Sequence, residues 1–266
     1  MASASVTTSA DALTARFAEL RSRRRKALVC YLTAGHPDPA TSLALLRGVA
    51  EAGADVIELG VPFSDPLADG PVIQGSSQQA LDHGMTLAGT LALAAEARVD
   101  VPLVLFTYLN PLMAAGPDVL DRAAAAGMSG LLVTDLPVGA DPEREAWIGR
   151  GPLAFVRLVA PTTPPHRMAE IARHGRGFVY LISRLGVTGA SESIARGLPP
   201  TIAALTAASA LPVCVGFGIS TPAQARDVGR LADGVVVGSA LVAAAGRSVD
   251  EAVALVRALR VALDDA

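Results

Sequence analysis

Eight short apolar runs, distributed along the whole chain and separated by alanine-rich segments, leave this sequence very few architectures. The runs span residues 27–32, 56–59, 103–108, 130–133, 154–158, 178–182, 212–216 and 234–237. Most are apolar on both faces, as parallel strands covered by helices must be. The segments between them, such as 39–52, 87–98, 118–126, 166–174, 198–208 and 222–231, have the composition of amphipathic helices. Eight β-then-α units in 266 residues predict a closed (β/α)8 TIM barrel rather than an open doubly wound sheet. It is expected as a single domain over residues 1–266, with an additional N-terminal helical segment in 1–26 placed to plug the bottom. No GxGxxG follows the first run, which disfavours a dinucleotide-binding sheet.

Charge and composition remove several function classes. The net charge is −3 and aromatics are 4% of the chain, so neither a basic face nor a set of stacking rings serves nucleic acid. The one basic run, Arg21 to Lys26, reads as the solvated end of the first helix, where cations oppose the negative dipole. Residues 198–225 carry no charge, but Pro199, Pro200, Pro212, Gly216 and Gly218 break them into helix, strand and turn, so no membrane span is expected. Cys30 and Cys214 read as small buried apolar residues, which fits a reducing cytoplasm. The N-terminus lacks an apolar h-region, and Asp11 and Glu19 argue against a transit peptide.

Polar residues collect at the C-terminal ends of the runs, where such barrels do chemistry. Those ends carry Thr33 to Pro37, Thr107 to Pro111, Thr134 to Pro137, Ser183 to Gly189, Gly216 to Ser220 and Gly238-Ser239, whereas the opposite turns are plain. Within the second run sits Glu58, among Val56, Ile57 and Leu59, followed by a loop with Asp65 and Asp69. An unpartnered buried carboxylate costs several kcal/mol unless its pKa rises to keep it protonated, and active sites are where chains most often accept that cost. Asp65 before Pro66 and Asp69 before Gly70 are equally readable as turn caps. The glycine turns Gly216-x-Gly218 and Gly238-Ser239 lie where barrels often bind phosphate through backbone N–H groups.

Elimination narrows the chemistry. The single lysine, Lys26, precedes the first strand at the wrong end of the barrel, so imine-forming catalysis and lysine-bound pyridoxal phosphate are excluded. Of four histidines, His83 and His174 lie at helix positions, and His36 and His166 share no ligand spacing, so no metal site is expected. No G-x-S-x-G elbow appears. Carboxylates remain as the proton-transfer groups. A different phosphate-sugar isomerase or epimerase, or a barrel that only activates a partner, stays open on these residues alone.

The ordered motifs ELGVPFSDPLADGPVIQ, TAGHPD, TDLP, LVAPTT, SRLGVTGA, GFGIS and GSALV resemble those of the tryptophan synthase alpha chain family, from about Leu28 to the C-terminus. The resemblance implies a carbon–carbon lyase that cleaves indole-3-glycerol phosphate to indole and glyceraldehyde 3-phosphate. It implies a cytoplasmic α2β2 heterotetramer in which a beta chain, and not this chain, carries pyridoxal phosphate. By position, it assigns Glu58 and Asp69 as catalytic, and Tyr180, Thr188, Phe106, Tyr108, Phe217, Gly189, Gly218, Gly238 and Ser239 as substrate-binding. Asp65 is assigned to the partner interface, and the loops 62–71 and 184–195 are expected to close over the site. For Tyr108 and Phe217 the alternative is ordinary core packing, since aromatics readily fill cores. Two departures stand out: Val138-Gly139-Ala140, where the family usually has acidic residues, and His36, where an acid is frequent.

Overall fold

The computed structural model describes residues 9–182, 197–216 and 218–266. The chain opens with α1 (Ser9–Ser22), β1 (Ala27–Thr33), α2 (Pro39–Glu51), β2 (Val56–Gly60), α3 (Pro71–Asp82), α4 (Leu87–Ala97) and β3 (Leu103–Thr107). It continues through α5 (Leu109–Ala115), α6 (Val119–Ala125), β4 (Met128–Val133), α7 (Pro142–Arg150), β5 (Ala154–Val159), α8 (Pro165–Arg173) and β6 (Val179–Ile182). It ends with α9 (Leu198–Ala208), β7 (Val213–Gly216), α10 (Pro222–Gly229), β8 (Gly234–Val237), α11 (Ser239–Ala245) and α12 (Val249–Asp264).

The eight strands pair in chain order, all parallel, and β1 closes the sheet on β8 through Ala27↔Gly234 to Cys30↔Val237. Closure leaves no open edge. The expected strand centres hold, with ends moved by a residue or two; Tyr108 caps the start of α5 and lies just past β3 rather than inside it. Helices α3, α5, α7, α11 and α12 are additions to the helical segments named from composition. Among the described residues, no helix is long and apolar enough to cross a membrane.

Alternation along each strand divides the apolar residues into two cores. Outward positions such as Leu28, Cys30, Ile57, Leu105 and Leu131 pack under the helices. Inward positions such as Val29, Val56, Val104, Leu132, Val156, Phe178 and Val236 fill the barrel. The lower end of this inner core is closed by α1, as its sequence position suggests. Ala10, Leu13, Phe17 and Leu20 lie on one helical stripe and are buried, and the Phe17 ring sits 5.3 Å from that of Phe178. The same alternation that points Val56 into the barrel points Glu58 and Gly60 inward above it, at the open end.

Candidate active site

Glu58 is the most unusual inward group of this upper layer. It lies between Tyr31 of β1 and Val104 of β3 in register, and only 1% of it is exposed. Its Oε1 has no hydrogen-bond partner among the described residues. Desolvation alone lifts its pKa from 4.5 to about 8, so the side chain holds a proton at neutral pH.

Asp69 approaches from the loop that follows β2, and it is also buried. The Tyr108 hydroxyl donates to its Oδ2 at 2.9 Å, while the same hydroxyl accepts the Ala68 N–H at 3.0 Å. Burial raises the Asp69 pKa to about 6, against the lowering effect of the Tyr108 hydrogen bond. This side chain does not cap α3, whose N-terminal residue, Gly70, has no side chain to do so. The backbone of the loop is fastened separately, with Asp69 N–H donating to the Pro66 carbonyl at 3.0 Å and Gln74 Nε2 donating to the Asp69 carbonyl at 2.9 Å.

Two tyrosines fold across the open end over glycines. A Cβ on Gly216 would come within 2.5 Å of the Tyr180 hydroxyl, and one on Gly60 within 2.1 Å of the Tyr31 hydroxyl. Any larger residue at either position would displace the phenol above it. Both phenols are pushed well above the ordinary tyrosine range, first by burial and then by the charges of Glu58 and Asp69. Each phenol thus lies within electrostatic reach of both carboxyl groups. Phe106 stands edge-on to Tyr31 with ring centroids 5.1 Å apart.

Of the residues picked out by motif, Glu58, Asp69, Tyr180, Phe106 and Tyr108 thus meet at the mouth. Gly238 ends β8 beside Tyr31, its Cβ position 3.8 Å from the Tyr31 Cβ, and Ser239 opens α11. Gly218 follows β7 on the same end. Thr188, Gly189 and Phe217, with the whole of the loop 184–195, lie outside the described residues. Asp65 is exposed, with the Ser64 hydroxyl donating to it at 2.6 Å, next to Leu67, which is 92% exposed. Tyr31 was not singled out by motif, yet its pairing with Glu58 follows from the alternation 27, 29, 31 along β1.

The two departures resolve locally. His36 is buried against α3 and α11 rather than displayed on the surface, with desolvation lowering its pKa and contacts to Val242 and Gln79 opposing this. The loop with Val138 to Ala140 is tied from below. Arg157, itself buried over the Phe155 ring, donates to the Leu136 carbonyl at 3.2 Å and to Glu145 at 2.8 Å, and Glu145 accepts the Gly139 N–H at 2.7 Å. Among the described residues no three His, Cys, Asp or Glu side chains converge to hold a metal ion.

Comparison with known proteins agrees with this geometry. The family model for the tryptophan synthase alpha chain matches residues 17–265. The tryptophan synthase alpha chain of Caulobacter sp. (strain K31) is 49% identical over 237 residues, covering 87% of this chain and 86% of that protein. Its counterpart in Caulobacter vibrioides is 48% identical over the same share. A Mycobacterium tuberculosis tryptophan synthase structure superposes with a TM-score of 0.87 at 37% identity, covering 94% of this chain and 97% of the other. The Legionella pneumophila alpha subunit gives 0.86 at 33% identity, with 96% and 98% covered.

Proposed function

The chain belongs to the tryptophan synthase alpha chain family, and on that premise we propose which of its side chains carry the reaction. The alpha subunit is a lyase of tryptophan biosynthesis: it cleaves indole-3-glycerol phosphate and passes the indole to a beta subunit, which holds the pyridoxal phosphate. In this chain Glu58 is the general acid and base, and Asp69 is the counter-charge.

The observation that carries this reading is a fully buried carboxyl group, its Oε1 unpartnered among the described residues and held protonated at neutral pH, at the same end of the barrel as a second carboxylate that ionises about two pH units lower. Glu58 donates its proton to indole C3, which turns the ring into an indolenine cation. The resulting carboxylate then takes the proton of the C3′ hydroxyl. As that O–H bond breaks, an aldehyde forms, the C3–C3′ bond breaks, and its electron pair neutralises the ring. Glu58 ends protonated, as it began. Asp69, ionised between pH about 6 and about 8 while Glu58 is still protonated, accepts the indole N–H and stabilises the transient positive charge. Tyr180, Tyr31 and Phe106 border the indole; the motif resemblance adds Thr188 and Phe217 to the substrate contacts. Backbone N–H groups at Gly189, Gly218, Gly238 and Ser239 receive the phosphate. The beta subunit docks on the face that carries Asp65, in a cytoplasmic α2β2 assembly.

Indole release by the purified chain, measured alone and with a beta subunit, tests the assignment. Glu58→Gln should lower kcat by about 10³-fold with KM nearly unchanged, and Asp69→Asn by about 10²-fold. Full activity in Glu58→Gln overturns the acid–base role. Wild-type kcat/KM should follow a bell with limbs near pH 6 and pH 8; a flat profile across that range contradicts the paired ionisations.

A further inference from the structure

The face of the barrel opposite the mouth holds a cavity of about 270 Å³, and its polar lining is mostly cationic. Arg21, Arg24, Arg25 and Lys26 reach it from the end of α1 and the turn into β1. Pro212 and Asp233 reach it from the turns that enter β7 and β8. This is the basic run that the dipole argument reads as a merely solvated helix end.

The ion pairs do not neutralise it. Arg25 has Asp264 at 3.0 Å and Asp55 at 3.5 Å. Lys26 donates Nζ to the Ala232 carbonyl at 2.9 Å, which orients the ammonium and leaves its charge in place. Asp233, the one acid of the lining, accepts the Val213 N–H at 2.8 Å. Among the described residues, no carboxylate forms an ion pair with Arg21, Arg24 or Lys26. A chain of net charge −3 therefore gathers three unpaired cations around one recess.

The backbone adds an independent observation. Helix α1 ends with Arg25 N–H donating to the Leu20 carbonyl at 2.9 Å and Arg24 N–H to the Arg21 carbonyl at 3.0 Å, which places Arg24 at φ 53°. That left-handed position after a helix is the one glycine fills best, and an L side chain there costs about 1 kcal/mol. Folding stability alone disfavours arginine at this position, and the arginine puts a guanidinium at the cavity. A cavity of this size equals about nine waters' share of liquid volume, more than a halide needs. Guanidinium forks beside an ammonium match the several oxygens of linked phosphates.

We propose that this cavity is a binding site for a diphosphate group, supplied as inorganic pyrophosphate or as the terminus of a nucleoside diphosphate. Bound there, the anion bridges α1 to the turns entering β7 and β8, at the end of the barrel remote from Glu58.

Lys26 is the only lysine of the chain, so it reports on this site and not on the mouth. The full-length protein is acylated with an N-hydroxysuccinimide ester, and modification of Lys26 is followed by peptide mass spectrometry, with the terminal amine as reference. Pyrophosphate or ADP should slow modification saturably, by about fivefold or more. Protection by both identifies the diphosphate itself as the ligand, and protection by ADP alone identifies the nucleotide. Arg21→Ala and Arg24→Gly should each weaken protection by about tenfold, the loss of one charge-assisted hydrogen bond. Arg24→Gly should at the same time raise Tm, because glycine suits the left-handed position, so loss of binding there is not loss of fold. Absence of protection, equal slowing by chloride at matched ionic strength, or undiminished protection in Arg24→Gly overturns the proposal.

Discussion

Asp55 and Glu58 stand three positions apart, both almost wholly buried at 2% and 1% exposure, and the molecule treats them in opposite ways. Asp55, at the floor, accepts the Leu28 N–H at 2.9 Å and Arg260 Nη1 at 2.8 Å, with Arg25 at 3.5 Å. Burial pushes its pKa up, and those three partners pull it back. The result is a charged clamp: Arg260 also reaches Asp264 at 2.8 Å, and the cluster fastens α12 and the start of β1 to the barrel. Glu58, at the mouth, has no partner for its Oε1 among the described residues and keeps its proton. Burial by itself therefore does not mark an acid for catalysis. The partners supplied with it decide whether it becomes structure or remains available for chemistry. Asp69, with the single hydroxyl of Tyr108, lies between the two extremes.

The contrast can be broken most directly at the floor. Asp55→Asn removes the buried counter-charge of Arg260, leaving it only the half-exposed Asp264, and should cost about 3–5 kcal/mol in chemical denaturation. It should leave the pH limbs of kcat/KM in place. A loss under about 1 kcal/mol would mean the clamp is dispensable.

A smaller effect reports on Glu58. Folding raises its pKa from 4.5 to about 8. Below pH 4.5 the group is protonated in both states and contributes its full share of stability. As pH rises through the window, only the unfolded chain ionises, so that share is lost progressively up to about pH 8. Glutamine has no proton to release. The stability of Glu58→Gln relative to wild type should therefore climb between pH 4.5 and 8, by an amount on the order of a few kcal/mol. Parallel stability curves for the two proteins would show that Glu58 is ionised in the folded state.

The smallest expected effect sharpens the intermediate case. Tyr108→Phe removes the one hydrogen bond that lowers the Asp69 pKa, worth about 1 kcal/mol. Asp69 should then move towards the condition of Glu58, and the acidic limb of the kcat/KM profile should shift upward from about pH 6. A limb that stays in place, or moves down, would assign that ionisation to another group.

Much of the site was legible before any coordinates. Glu58 declared itself as an acid inside an apolar run, where no turn exists for it to cap, and Asp69 by its place in the loop behind it. Tyr31 was less visible, because a tyrosine in an apolar strand reads as core until the register sets it against Glu58. His36 shows the opposite failure. Its place in the loop after β1 suggested the mouth or a partner surface, but α3 and α11 close over it. The basic run at Arg21 to Lys26 read as a helix terminus, and only the turns entering β7 and β8 make it one wall of a cavity.

By itself the sequence determined the order and polarity of the eight units, because apolar periodicity and glycine or proline breaks act over a few residues at a time. Hence it also determined which end of the barrel gathers the polar groups. The tertiary structure decided which buried charges find partners. Arg260 meets Asp55 from more than two hundred positions away, and among the described residues nothing comparable reaches Glu58. Such contacts depend on closure of the whole barrel, where residues remote along the chain become neighbours, and no local pattern encodes that distance.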